Sequence, residues 1–592
     1  MNRSIATLLL LPSLVGLAQT NNAADWTTLY ERSNFLRTPR YEETVAYCKK
    51  LERASAWVRY TTFGKTPLGR ELPLVILSKE KAFTPSEAVK SGKAIVLIQS
   101  GIHAGEIDGK DASLMLMRDI AITKKREGLL DHAIVLVVPI FNVDGHERSG
   151  KYNRINQNGP EEMGWRVNAQ NLNLNRDYMK ADTPEMRAML KLFADWLPDF
   201  YVDCHVTDGI DFQYDVTYAL ETFANLDTEV VDWLNQRYIP SMVSDVERSG
   251  HGIAPYIMTR EDKDLSKGFA AGAGTPRFST GYGAIQNRPT LLIETHMLKP
   301  YKARVSSTYE ILASTLAIVN RDYLNLKELV HRADEKVIAA SRLASYLYLR
   351  FETTTKSRPF VFKGVKSAIE HSDISGGEKI VYSKEPATIT APYFDEVRPT
   401  DSAMVPVYYL IPPSWPKVIE VLRAHNVQMT TLRSSVTLPV QSYRFSDAVW
   451  QERPFEGRHP VKFKSELITE ERTFPEGTWV VPTSQRTGKV LMNLLEPKGP
   501  DSFVGWGFFD PIFEQKEYAE DYVLEPMAQS MLSTDPKLKM EFEAKLAADS
   551  TFAKSQSARL NFFYRHSPYW DSTIGVYPVA RIMSNEQLII RN

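Results

Sequence analysis

Four predominantly apolar runs frame the first half of the chain, at 94–98, 133–140, 200–206 and 290–294. A run this rich in apolar residues reads as a strand buried on both faces, so all four are expected at the centre of a sheet. Between them, apolar residues three and four apart predict helices. One spans 107–120, and another set covers 306–343, where Ile311, Leu312, Leu316, Ile318, Val319 and Leu324 keep a helical spacing. The alternation over 25–345 predicts an α/β domain, a mixed sheet flanked by helices. Beyond Tyr346 the pattern shifts to short β-prone segments punctuated by Pro and Gly, with helix-like pieces at 416–425 and 489–495. A smaller α+β domain is therefore expected over 346–592, packed against the first.

Length agrees with this division, since 592 residues exceed what one hydrophobic core serves. A hydrophobic content of 43%, a charged content of 24% and a net charge of -1 give no electrostatic case for nucleic acid or an anionic membrane as partner. The N-terminus has the layout of a signal peptide over 1–18, with Arg3, an apolar stretch from Leu8 to Leu17 and small residues ahead of Gln19. Export to the periplasm or the medium is the expectation, with no membrane span left after cleavage. Cys48 and Cys204 are too few for a disulfide framework, and Cys204, inside an apolar strand, reads as a small buried hydrophobe.

Candidate chemistry gathers where the central strands end. His103 and Glu106 follow the first strand and precede a helix, and a strand-to-helix turn at the carboxyl edge of a sheet is where such folds bind ligands. An imidazole and a carboxylate three positions apart can share one metal ion. His205, at the end of the third run, supplies a third ligand, the number that a catalytic zinc takes while keeping a position open for water. Glu294 ends the fourth run and is placed to act as general base. Between these strands, the segment 171–177 sets Asn residues and Arg176 against alternating Leu, a surface suited to a carboxylate because guanidinium forks bind it bidentately. Trp165-Arg166 offers a second cation for a polarised carbonyl.

These elements, in this order, resemble the zinc metallocarboxypeptidases of the carboxypeptidase A type, peptidase family M14. The resemblance rests on His103-Ala104-Gly105-Glu106, Asn142-Val143-Asp144-Gly145 followed by Trp165-Arg166, Leu174-Asn175-Arg176, and the distant His205 and Glu294, with 63–70 as the segment ahead of the sheet. It implies a carboxypeptidase-like mixed sheet over 25–345 and one Zn2+ ion per chain on His103, Glu106 and His205. It further implies that Glu294 shuttles the proton, that Asn175 and Arg176 hold the substrate's terminal carboxylate, and that Arg166 assists the carbonyl, with Arg154 as the alternative. Tyr282 is the expected cover of the substrate, and Tyr256 the alternative. Asp177 departs from the pattern as an extra carboxylate beside the clamp, expected to weaken it or to select a cationic group, while His296 is expected to orient Glu294 or to pack.

The function implied is hydrolysis of the C-terminal bond of peptides with a free C-terminus. Two rivals are an amidase or deacylase acting on cell-wall peptides or acylated amino acids, and a carboxypeptidase-like binding protein without turnover. Arg260, Asp262 and Asp264, inside the 251–287 segment expected to floor the side-chain pocket, are candidates for a charged preference. The aromatic clusters at 562–564 and 569–570 are expected in a core. Oligomeric state is not readable from the sequence.

Overall fold

A computed structural model of the chain describes residues 26–584, so the expected leader at 1–18 lies outside the described residues. Its first half is organised by strands β1 (Val58–Lys65), β2 (Glu71–Leu77), β3 (Ala94–Ser100), β4 (Ala133–Val138), β5 (Phe200–Thr207), β6 (Val216–Leu220) and β7 (Ile253–Pro255). After two short strands, β8 (Met258–Thr259) and β9 (Phe269–Ala270), β10 (Thr290–His296) completes an eight-stranded mixed sheet in the order β1-β2-β4-β3-β5-β10-β6-β7. Every residue of β3, β4 and β5 is buried, the environment that strands this rich in apolar residues require.

Strands β4, β3, β5 and β10 run parallel, so their carboxyl ends share one edge. From β3 the chain crosses to β4 on one side, whereas β5 joins on the other. The strand order therefore reverses between β3 and β5, which opens a crevice at that edge.

One face of the sheet is covered by the helices Asp108–Ala121 and Tyr301–Ala340, which bury Val96, Ile98, Val135 and Leu316 in a common core. The second helical region is a single helix of 40 residues rather than several. No glycine or proline interrupts it, and packing against the sheet stabilises a length that propensity alone would not. The other face carries Ile95, Leu97 and Leu136 into a core that continues through Tyr409, Leu491 and Phe503 of the second half. The two halves thus share apolar packing.

In the second half, β11 (Tyr346–Thr353) pairs with β14 (Val397–Met404), and between them runs a long hairpin of β12 (Arg358–Ser372) and β13 (Gly377–Phe394). The end of β13 lies parallel to β9, with Tyr393 opposite Phe269, which stitches the hairpin to the first half. The strands β15 (Tyr408–Ile411), β16 (Thr430–Thr431), β17 (Val436–Trp450), β18 (Val461–Phe474), β19 (Trp479–Pro482) and β20 (Ala580–Ile582) form a six-stranded sheet in the order β16-β19-β15-β20-β17-β18. A cluster of short helices between Asp521 and Arg565 packs around Phe542, Phe562 and Phe563, so these aromatics are core, while Tyr569 is exposed. Cys48 and Cys204 are free and buried. Among the described residues, no helix is long and apolar enough to cross a membrane.

Candidate active site

Two glycines decide how closely the crevice assembles. A Cβ on Gly105 would stand 2.8 Å from the Gly164 carbonyl oxygen and 2.9 Å from Arg154 Cδ, so only glycine lets Arg154 pass behind Glu106. A Cβ on Gly109 would meet Cys204 Cβ at 2.4 Å, so the helix after Glu106 lies directly on β5. That contact brings His103, Glu106 and His205 together. In the parallel register Glu294 stands opposite His205, which places both on the same side of the sheet.

Three ligating atoms converge. His205 Nδ1 lies 3.2 Å from His103 Nδ1 and 3.1 Å from Glu106 Oε2, and His103 Nδ1 is 3.1 Å from the same oxygen. All three residues are buried, and they form a group able to hold a metal ion. Tetrahedral ligands at ~2.0–2.1 Å from zinc sit about 3.3 Å apart, close to these separations. The far ring nitrogens are already engaged: His103 Nε2 donates to Asn173 Oδ1 at 3.1 Å, and His205 Nε2 donates to Asp203 Oδ2 at 2.8 Å. With a metal bound, each imidazole would present its Nδ1 lone pair to the centre, the tautomer that a metal needs. The donor set fits zinc.

Charge inside the crevice follows from burial and pairing. Burial pushes the His103 pKa down to about 4. For His205 burial acts in the same direction, but Asp203, Glu106 and Glu294 override it and hold the ring well above its usual range. Burial disfavours the charge on Glu106 too, yet His103, His205 and Arg154 keep its carboxyl well below the usual value. Glu106 Oε1 accepts from Arg154 at 2.7 Å and Arg166 at 3.1 Å. Glu294 differs. Burial, with Glu106 and Asp203 nearby, raises it to about 8 against the pull of His205, and its Oε2 has no hydrogen-bond partner. An orphaned carboxylate oxygen facing three convergent ligands is the arrangement of a group awaiting a proton or a cation.

These residues line a cavity of about 1120 Å3 together with Arg166, Asn175 and Arg176. Asn175 Oδ1 is buried without a partner. Arg176 donates to the Asn175 carbonyl oxygen at 2.7 Å and lies over the Phe278 ring at 4.5 Å. Among the described residues, no carboxylate forms an ion pair with Arg176, and burial together with neighbouring Arg166 lowers its pKa against the partial offset of Glu456. Both arginines considered for the carbonyl border the cavity. Arg154 is buried and braced by Gln157, whereas the Arg166 side chain is 44% exposed and has room to turn toward a ligand.

Several expectations need correction. Tyr282 is buried in the shared core, where its hydroxyl meets His425 and Gln286, and it does not line the cavity. Its place on the Ser279–Ile285 helix points it away from the crevice toward the second half. Tyr256, unlike Tyr282, lines the cavity, as do Tyr218 and Tyr393; it is near enough to Glu294 to feel its charge, and burial raises its pKa to about 12. Asp177 does not reach a ligand: it is fully buried, pairs with Lys180 at 2.7 Å and accepts from Thr183 N and Oγ1. Asn171 is exposed, because the alternating segment closes into a turn at Leu174–Arg176 instead of extending. His296, by contrast, takes one of its two expected roles and packs edge-on against Phe212 with ring centroids 4.4 Å apart. None of Arg260, Asp262 and Asp264 lines the cavity, whose apolar lining includes Leu220, Phe223, Ile239 and Leu292.

Sequence reasoning missed Asn173 and Asp203, the two partners that orient the histidines. The signal for Asp203 was present, since residues two apart in a strand share a face. Asp203 is fully buried, accepts also from Gln99 at 2.9 Å and stays below the usual carboxylate range because His205 outweighs the effect of burial. Replacing it by Asn, which keeps the shape and removes the charge, is expected to weaken zinc affinity by ~10-fold or more in a chelator competition. An affinity equal to that of the unaltered protein would mean that Asp203 does not tune the histidine.

Residues 44–260 match the zinc carboxypeptidase family, peptidase M14, a span that includes His103, Glu106, Arg176 and His205 and ends before Glu294. Carboxypeptidase 2 of Trichophyton rubrum is 24% identical over 502 residues, 81% of this chain and 87% of that protein. Carboxypeptidase 2 of Trichophyton equinum is 24% identical over 489 residues, 79% of this chain and 84% of that protein. Both alignments are longer than the first half of the chain and so extend into the second. Among solved structures, a metallo-carboxypeptidase from Burkholderia cenocepacia is 17% identical, covering 48% of this chain and 69% of that one with a TM-score of 0.34. Carboxypeptidase A from Helicoverpa armigera is 16% identical, covering 48% and 74% with a TM-score of 0.36.

Proposed function

We propose that this chain, a peptidase that carries a zinc carboxypeptidase domain, is an exported enzyme that removes the C-terminal residue of peptides with Glu294 as general base. The observation that carries this reading is one cavity in which the Nδ1 atoms of His103 and His205, the carboxylate of Glu106, the orphaned oxygen of Glu294 and the guanidinium of Arg176, which has no ion pair among the described residues, all meet. The leader-like sequence at 1–18 supports export.

His103, Glu106 and His205 would hold the zinc ion, which when bound supplies Lewis acidity toward a carbonyl and makes water acidic enough to act at neutral pH. The chain does the rest. Arg176 and Asn175 bind the terminal carboxylate of the peptide and so fix which bond faces Glu294. Glu294 takes a proton from water as it adds to the carbonyl, then delivers that proton to the departing amine. Arg166 stabilises the developing oxyanion, and Tyr256 covers the bound residue. A neighbouring cation lowers the Glu294 pKa from its raised value, which leaves the carboxylate ionised at working pH.

Product analysis on a peptide library, with and without chelator, tests the reading. Release of single C-terminal residues that stops on chelation is expected. Turnover of muropeptides or acyl-amino acids with ordinary peptides left intact would favour the amidase reading instead. Arg176→Ala is expected to raise KM for free-acid peptides roughly 100-fold, the value of a charge-assisted pair of hydrogen bonds, with a smaller change for amidated ones. Equal effects on both would remove the clamp from the account.

A further inference from the structure

The turn joining β17 to β18 reaches from the second half of the chain onto the segment that carries the clamp, and we infer that its Glu456 is a positioning residue for both the metal ligand His103 and the carboxylate clamp. This rests on the function proposed above.

The turn is tight. Phe455 and Arg458 exchange backbone hydrogen bonds of 2.8 and 3.1 Å, and the two residues between them, Glu456 and Gly457, have φ of +50° and +75°. Turns of this kind take Asn, Asp or Gly at the first central position, so a glutamate there holds a strained backbone. Its carboxylate makes the strain informative. Glu456 Oε2 accepts the backbone N–H of Asn173 at 2.8 Å. The side chain of Asn173 in turn accepts from the Asn175 backbone N–H at 3.0 Å and from His103 Nε2 at 3.1 Å. Two hydrogen bonds therefore separate an accessory-domain carboxylate from a metal-binding imidazole, and the same asparagine shapes the turn that presents Asn175 and Arg176.

Docking does not require Glu456. The hairpin is anchored by its neighbours: Arg458 forks onto Asp182 at 2.6 and 2.8 Å, and Phe455 stacks on Trp506 with centroids 6.0 Å apart. On the other flank of the clamp, Asp501 accepts from Arg277 N at 2.9 Å and Nε at 2.6 Å, next to the Phe278 ring on which Arg176 lies. A glycine at 456 would make the turn without strain and leave these contacts in place. What the glutamate adds is the hold on Asn173, together with a negative charge near Arg176 that Glu456→Gln removes while keeping the hold.

The test uses the full zinc-loaded chain with Glu456→Gly and Glu456→Gln, measuring melting temperature, zinc affinity by chelator competition, and kcat and KM on a free-acid peptide. Glu456→Gly is expected to keep or raise the melting temperature while zinc affinity falls ~10-fold and KM rises ~10-fold, the scale of losing a group that orients a ligand. Glu456→Gln, whose side-chain carbonyl still accepts the Asn173 N–H, is expected to recover most of both. The inference is overturned if Glu456→Gly matches the unaltered protein in zinc affinity and KM, if Glu456→Gln falls as far as glycine, or if losses appear only alongside a lowered melting temperature. Failure of the unaltered chain to release C-terminal residues would count against the carboxypeptidase reading, whereas the zinc measurement needs no turnover and tests Glu456 by itself.

Discussion

Glu294→Gln is expected to keep one zinc per chain and lose about 1,000-fold in kcat, within the ~100- to 10,000-fold that a positioned base contributes. The amide is isosteric but cannot accept a proton, so substrate affinity should change little. Wild-type kcat/KM should rise with pH as Glu294 ionises, and this acidic limb should vanish in the variant. A second readout follows from linkage. In the metal-free protein burial raises Glu294 from the ordinary 4.5 to about 8, so the folded state binds more protons than the unfolded state between those values. That contribution is intact below pH 4.5 and is lost as pH climbs toward 8. Metal-free Glu294→Gln should therefore melt higher than metal-free wild type at pH 8, with the gap closing near pH 4. Near-normal turnover in the variant would remove Glu294 from the base role.

His205→Ala is expected to abolish zinc-dependent hydrolysis, at least 1,000-fold below wild type, because it deletes one of three ligands and leaves Asp203 and Glu106 facing each other across a gap. Zinc at 1,000 times its dissociation constant stabilises a protein that binds it only when folded by about 4 kcal/mol. Wild type should show that stabilisation as a rise in melting temperature on adding zinc, and His205→Ala should show almost none. Loss of activity with zinc binding and stabilisation both retained would mean that His205 acts by another route.

The sheet was legible because its central strands are buried on both faces, which writes an unbroken apolar run into 94–98 and a mostly apolar one into 200–206. Placement of His103, Glu106, His205 and Glu294 followed, since each sits where such a run ends. Tyr282 was misread for a physical reason: sequence shows that a residue lies on a helix, but the second half of the chain covers that face, and the cover comes from residues such as His425 far along the chain. Asp177 misled in the same way, because its partner Lys180 and the hydrogen bonds it accepts from Thr183 are visible only once the turn has closed. Glu456 was beyond reach, since nothing local announces that a hairpin tip 283 positions away will meet Asn173.

The central claim is that His103, Glu106 and His205 hold a single zinc ion facing Glu294. Zinc-edge anomalous diffraction from crystals of the zinc-loaded protein tests it most directly. The expected result is one strong peak ~2.0–2.2 Å from the Nδ1 atoms of both histidines and from a Glu106 carboxylate oxygen, with the Glu294 carboxylate beside it. Full zinc loading in solution with the anomalous peak at any other place would contradict the account.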